Sequence, residues 1–130
     1  MILDTDFLIA ILRGDQAAIQ KLNVLEKQES KLATTTLTVF ELMKGAYLSA
    51  KKEENLHLVG ELISNLDVFH FDMPSSRIAA MLASHLEEKG KPINIIDTLI
   101  AGVCVFHDEA IVTRNAKHFQ QIPNLSIEEW

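Results

Sequence analysis

The first nine residues constrain the fold of this chain more than any other stretch. Met1-Ile2-Leu3 is apolar without alternation, Asp4-Thr5-Asp6 turns abruptly polar, and Phe7-Leu8-Ile9 is apolar again. An unalternating apolar run suits a short strand buried on both faces, as in a parallel sheet. Phe7 to Arg13 then reads as a helical segment, with Thr5 or Asp6 as N-cap and Gly14 as the stop. Asp4 therefore falls where a central strand gives way to a helix, at the carboxyl edge where open α/β sheets bind ligands. A carboxylate there is costly to bury unless something positive compensates it.

The remaining sequence repeats this strand-then-helix grammar. Asp15 to Glu29 carries Ala18, Ile19, Leu22 and Leu25 at helical spacing, with Asp15 as cap. Leu32-Ala33-Thr34-Thr35 is a β-favouring run. A helix from Leu37 carries Val39, Phe40, Leu42 and Met43 towards Tyr47 and Leu48, and another follows from Glu53 to Leu66. Val68-Phe69-His70-Phe71 reads as a third strand, and Asp72 with Pro74 opens a helix whose expected buried face is Ile78, Met81, Leu82, His85 and Leu86. Asn94 caps a helix from Ile95 to about His107. Ala110–Thr113 is a fourth strand, Asn115–Phe119 a helical turn and Ser126–Trp130 a short edge strand. Strands alternating with helices predict a mostly parallel sheet covered on both faces, with two helices between most consecutive strands.

At 130 residues and 48% apolar content the chain suits one domain with one substantial core. The longest apolar run, Leu99–Phe106, is too short to span a bilayer, and no basic region precedes an apolar one at the start, so a cytoplasmic protein without an export signal is expected. The single cysteine, Cys104, lies in that apolar run and reads as a buried thiol in a reducing compartment. A formal net charge of −6 argues against gripping nucleic acid through bulk electrostatics. It leaves room for a nuclease, because cations gathered at an acidic site invert the local field.

Most of the acids, such as Glu26, Glu29, Glu53, Glu54, Glu87, Glu88, Glu128 and Glu129, stand in polar runs and read as solvated faces. Asp4, Glu41 and Asp97 are embedded in apolar sequence instead, each near a helix start or strand end. Singly, each has a plain structural reading: Thr38-x-x-Glu41 fits a capping box, Asn94-x-x-Asp97 a similar device, and Asp4 a cap for the first helix. Together they converge on one sheet edge, where two carboxylates about 4 Å apart repel by about 4 kcal/mol even at an effective dielectric near 20. Retaining three acids there makes sense if divalent cations sit between them. Oxygen ligands without His or Cys clusters favour Mg²⁺ or Mn²⁺ over zinc, and phosphodiester hydrolysis is the reaction such a site suits best.

In Ile2–Ile9, Thr38–Ala46, Gly90–Ile93, Asp97–Ala101, Val112–Phe119 and Ile122–Leu125, in this order and at these gaps, the chain resembles the PIN-domain ribonucleases, and most closely the VapC-type toxins of prokaryotic toxin–antitoxin pairs. The resemblance implies a three-layer α/β/α fold, a metal-dependent endoribonuclease acting on RNA, a homodimer, and a small antitoxin whose segment occupies a helical groove and the active site. It places Asp4, Glu41 and Asp97 on the family's acidic positions and Asn115 on the fourth, where many members have Asp. That departure removes a charge and makes one tightly held Mg²⁺ the expectation. Asp6 could restore charge through water, and Thr5 and Thr113 could hydrogen-bond the carboxylates. Lys44, Arg114, Lys117 and His118 are candidates to touch RNA phosphates, and Trp130 to pack on the edge strand or in a dimer contact.

Three rival readings stay open on sequence alone. Asp4-Thr5-Asp6 after a strand also resembles the haloacid-dehalogenase phosphatases, although Leu8 stands where that motif wants Thr or Val. Asp72 after the third strand suits the phosphoacceptor of a receiver domain, although receivers use one helix per crossover. An inert PIN-like binding module would keep the acids for structure.

Overall fold

Ile2 and Leu3 form the whole of the central strand β1 (Ile2–Leu3), and the sheet is assembled around it. A computed structural model describes residues 1–28 and 30–130; Glu29 lies outside the described residues. After β1 come α1 (Thr5–Leu12), α2 (Gln16–Lys27), β2 (Ala33–Thr35), α3 (Thr36–Leu48), α4 (Lys52–Ser64), β3 (Asp67–Phe69), α5 (Met73–Glu88), α6 (Ile95–Phe106), β4 (Ile111–Thr113), α7 (Ala116–Phe119) and β5 (Ile127–Glu129). The strands pair in the order β3-β2-β1-β4-β5, and every pairing is parallel.

Alternation along these short strands divides the interior in two. Ile2 and Ile111 face a core built with Leu82 and Leu86 of α5, Ile100, Val103 and Cys104 of α6, and Phe119 of α7. Leu3 and Val112, their immediate neighbours, face a second core with Phe7 and Leu8 of α1, Leu25 of α2, Leu42 of α3 and Val59 of α4. The result is the expected three-layer α/β/α arrangement. Burying a side chain such as Leu3 completely contributes about 1.5–3 kcal/mol, so both faces of β1 are needed to hold so short a strand.

The chain moves outward from β1 to β2 to β3 and then crosses back to β4 on the other side of β1. The reversal between β1 and β4 opens a crevice at their carboxyl ends, where ligands of open α/β sheets bind. Leu3 pairs with Val112, so the residues that follow the two strands emerge side by side.

Local chemistry sets the helix ends. Asp15 caps α2 by accepting from the Ala18 amide, and Asp72 forms a reciprocal capping box with Ser75 at the start of α5. Gly14, at φ +75°, supplies the left-handed residue that ends α1. Gly102 serves close packing instead. A Cβ on it would stand 2.7 Å from the Ala79 Cβ and 2.8 Å from the Ser75 carbonyl oxygen, so its bare backbone lets α5 and α6 touch.

Several expectations need correction. The N-cap of α1 is Asp4, not Thr5 or Asp6; both of those residues lie in the first helical turn. The capping box expected at Thr38 and Glu41 does not form, because α3 begins three residues earlier with Thr35 as its cap. Glu41 thereby stands in the second turn, free of any capping duty. Met81 is exposed rather than on the buried face of α5, where Ser75 and Ala79 take its place beside Leu82 and Leu86. Phe40, Tyr47 and Leu48 of α3 are likewise exposed. The helical period holds, but apolar residues outnumber the width of the buried stripe. No described helix is long and apolar enough to cross a membrane.

Candidate active site

Asp4 is the first residue beyond β1 and is almost wholly buried, at 3% exposure. Its Oδ1 accepts from the Thr5 amide at 2.8 Å, closing the helix end. Its Oδ2 accepts from the hydroxyl of Thr113, the last residue of the neighbouring strand β4, also at 2.8 Å. Two hydrogen bonds favour the charged carboxylate, yet burial outweighs them, and Asp6 and Asp97 nearby add repulsion. The Asp4 pKa is pushed up to about 7.

Asp6, in the first turn of α1, points across to the loop after β4, where its Oδ2 accepts from the Arg114 amide at 3.1 Å. Its Oδ1 is buried and has no hydrogen-bond partner among the described residues. Desolvation raises the pKa of Asp6, and repulsion from Asp97 adds to the effect. A buried carboxylate oxygen with nothing to accept from, beside a second carboxylate that resists ionising, is the mark of a site short of positive charge.

Glu41 reaches the same edge from the second turn of α3. The Thr5 hydroxyl donates to its Oε1 at 2.8 Å, and the Thr38 hydroxyl stands 3.1 Å from the Thr5 oxygen. Asp97, in the first turn of α6, lies 3.2 Å from His118 Nδ1 through its Oδ2. Asn94 caps this helix as expected, its side chain accepting from the Ile96 amide. Asn115 is exposed; its side chain does not cap α7, and its backbone amide donates to the Thr113 hydroxyl oxygen at 3.0 Å.

Acids from three separate helices thus reach one end of the sheet, Asp4 and Glu41 held by threonine hydroxyls, Asp6 by the Arg114 amide and Asp97 by His118. Among the described residues, no group of three His, Cys, Asp or Glu side chains is close enough to enclose a cation ready-made. The donor set nonetheless fits a hard divalent ion. It is all oxygen, it includes a buried unpartnered carboxylate oxygen, and its most buried member resists carrying charge alone. Asp4, Asp97 and Glu41 are the side chains that would hold such an ion, with the unpartnered Asp6 oxygen beside them.

The cationic candidates are divided. Lys44 and Lys117 are exposed. His118 is on Asp97, and the Arg114 guanidinium lies 3.9 Å from the centre of the Trp130 ring and 3.3 Å from Asp15 Oδ2. Sequence reasoning missed the Asp6–Arg114, Arg114–Asp15 and His118–Asp97 contacts. The first two span 108 and 99 residues, and neither has a spacing signal. Asp72, the phosphoacceptor of a receiver reading, is committed to its capping box, which holds its carboxyl below the usual range. The strand order also differs from the 2-1-3-4-5 order of flavodoxin-like receivers.

Comparison with known proteins agrees with this fold. The family model described as PIN domain matches residues 1–125. Among curated proteins, the chain is 33% identical over 101 residues to the tRNA(fMet)-specific endonuclease VapC of Salmonella typhimurium, covering 78% of this chain and 76% of that protein. It is 32% identical over 129 residues to ribonuclease VapC2 of Rickettsia felis, covering 98% of this chain and 96% of that one. Among solved structures, VapBC2 from Rickettsia felis bound to a DNA fragment from its promoter superposes with a TM-score of 0.91 at 31% identity, covering 99% of this chain and 97% of the matched one. DNA-bound VapBC from Salmonella typhimurium gives 0.88 at 28% identity, covering 99% and 96%.

Proposed function

This chain belongs to the PIN domain family, and on that footing we propose that it is a divalent-metal-dependent endoribonuclease, the toxin of a toxin–antitoxin pair. The family match leaves no place for the phosphatase and receiver readings. The observation that carries the chemistry is the buried Asp4 carboxylate, beside an Asp6 oxygen that has no partner. These are positions that lose free energy until a cation arrives. Mg²⁺ or Mn²⁺ would be held by Asp4, Asp97 and Glu41, with Asp6 and Asn115 assisting. When bound, the ion lowers the pKa of its water and neutralises charge at the scissile phosphate.

The protein's own part is preorganisation. Thr113 and the Thr5 amide fix the two Asp4 oxygens, and the Thr5 hydroxyl fixes Glu41. Exposed Lys44 and Lys117 would meet backbone phosphates, which orient a substrate without reading its sequence. RNA is the substrate class that the curated relatives' names support, and VapBC complexes among the solved structures support a small antitoxin partner. The reading includes one PIN-like domain over 1–130, a homodimer and a cytoplasmic site of action.

The test is cleavage of a mixed cellular RNA with and without Mg²⁺ by the wild-type protein and by Asp4→Asn. Cleavage that needs Mg²⁺ and disappears in the variant supports the proposal. Equal cleavage by both proteins overturns the role given to Asp4, and no cleavage by a folded wild type that binds no Mg²⁺ or Mn²⁺ overturns the proposal in favour of an inert module.

A further inference from the structure

The chain has one tryptophan, and its place is unusual. Trp130, just beyond β5, packs its ring against Phe7 of α1 with centroids 5.1 Å apart. On Trp130 rests the Arg114 guanidinium, 3.9 Å from the ring centre. The indole N–H is buried without a hydrogen-bond partner among the described residues, so packing rather than a polar contact of its own places this ring. Arg114 is also held by Asp15 at 3.3 Å, and Asp15 is fixed as the cap of α2. Lys21 of α2 pairs with Glu128 of β5, which ties the same two elements together a second time. The Arg114 side chain, from the loop after β4, is therefore held by the start of α2 through Asp15 and by the end of the chain through Trp130, whose ring is itself backed by α1.

The Arg114 backbone amide is the group that bonds Asp6. We infer that Arg114 is a positioning residue: clamped between the Trp130 ring and Asp15, it fixes its own amide and through it the Asp6 carboxylate, and so sets the affinity of the acidic site for a divalent cation. This assigns the arginine to the architecture of the acid cluster rather than to phosphate contact, and it makes Trp130 a reporter of that site. The inference rests on the divalent-cation reading of the previous section.

The experiment is titration of the full chain with Mn²⁺ alone by calorimetry, and with Mg²⁺ alone by Trp130 emission, without RNA. Arg114→Ala and Trp130→Leu should each weaken Mn²⁺ binding by about 5-fold, the loss of one cation–π contact. Trp130→Phe, which keeps an aromatic face, should bind nearly as the wild type does. Mg²⁺ should change Trp130 emission in the wild type and not in Arg114→Ala. In an Asp6→Asn background, Arg114→Ala should have no further effect on Mn²⁺ binding, because the route from the arginine runs through that carboxylate. Far-UV circular dichroism confirms that each variant is folded.

Wild-type binding that Arg114→Ala leaves unchanged overturns the inference while sparing the cation reading. So does an equal loss from Arg114→Ala with and without Asp6→Asn, which marks a general loss of structure. A variant that binds Mn²⁺ normally but needs more RNA for half-maximal cleavage assigns the arginine to phosphate contact instead. A folded wild type that takes up neither ion overturns the cation reading and this inference with it.

Discussion

Replacing Asp4 by Asn should make the metal-free protein more stable at neutral pH, although it removes a residue at the heart of the site. The Asp4 pKa rises from 3.8 to about 7 on folding, chiefly through burial. Below about pH 4 the carboxyl is protonated in both states and costs nothing. Between about 4 and 7 the native state holds a proton that the unfolded state has lost, so stability falls as pH rises, by about 1.4 kcal/mol per unit. Above the folded pKa the accumulated penalty levels off at about 4 kcal/mol, three units' worth. Asn carries no such charge. Its oxygen can accept from the Thr5 amide and its NH2 group can face Thr113, with one weakened hydrogen bond costing about 1 kcal/mol.

The expected net gain at pH 8 is therefore about 3 kcal/mol, turning to a loss of about 1 kcal/mol at pH 4. Urea unfolding in EDTA at pH 4, 6 and 8 measures it, provided the slopes with denaturant stay equal. Millimolar Mg²⁺ should then stabilise the wild type by mass action and leave Asp4→Asn unmoved. An Asn variant that is destabilised equally at all three pH values would refute the reasoning, since it would show that Asp4 ionises without penalty.

Three further outcomes test other parts of the structure. Thr113→Val should lower the Mg²⁺-dependent cleavage rate by roughly 10–100-fold with an unchanged circular dichroism spectrum, and Thr113→Ser should restore most of it, because the hydroxyl on Asp4 is what matters. Gly102→Ala should cost about 1–3 kcal/mol, read as a lower thermal midpoint, and Ala79→Gly should recover only part, because the Ser75 carbonyl still opposes the new methyl group. Cys104, fully buried and with its thiol pushed well above its ordinary pKa by that burial, should react with a maleimide only in denaturant; labelling of the native protein at the denatured rate would contradict its placement.

The layered fold was legible because strands buried on both faces leave a direct signature. Ile2-Leu3 and Ile111-Val112 are apolar on both sides of the pleat, and a sequence pattern registers that without any tertiary information. The helix boundaries after α1 were legible wherever a cap was unambiguous, as at Asp15, Asp72 and Asn94. They failed where polar residues compete: Asp4-Thr5-Asp6 offers three possible caps, and Thr34, Thr35, Thr36 and Thr38 offer four for α3. There the tertiary choice between capping and strand pairing decides.

Asp4, Glu41 and Asp97 stood out as acids amid apolar neighbours, a local anomaly. What holds them did not stand out. A threonine in a strand looks the same in sequence whether it faces a carboxylate, as Thr113 does, or donates to a carbonyl, as Thr34 does to Leu3. Arg114 and Trp130 were visible only as a basic residue and a terminal aromatic. Their meeting depends on β4 and β5 lying side by side, which no spacing encodes.

The central strand is only two residues long, with Ile2 turned to one core, Leu3 to the other and Asp4 directly after them. Slipping the register of this strand by a single residue would exchange the two apolar side chains between compartments and carry the acid off the crevice in the same movement. Evolution therefore cannot retune the buried aspartate by sliding the backbone beneath it. Change has to come through the side chains that arrive from elsewhere, and variation among relatives of this chain should concentrate in them.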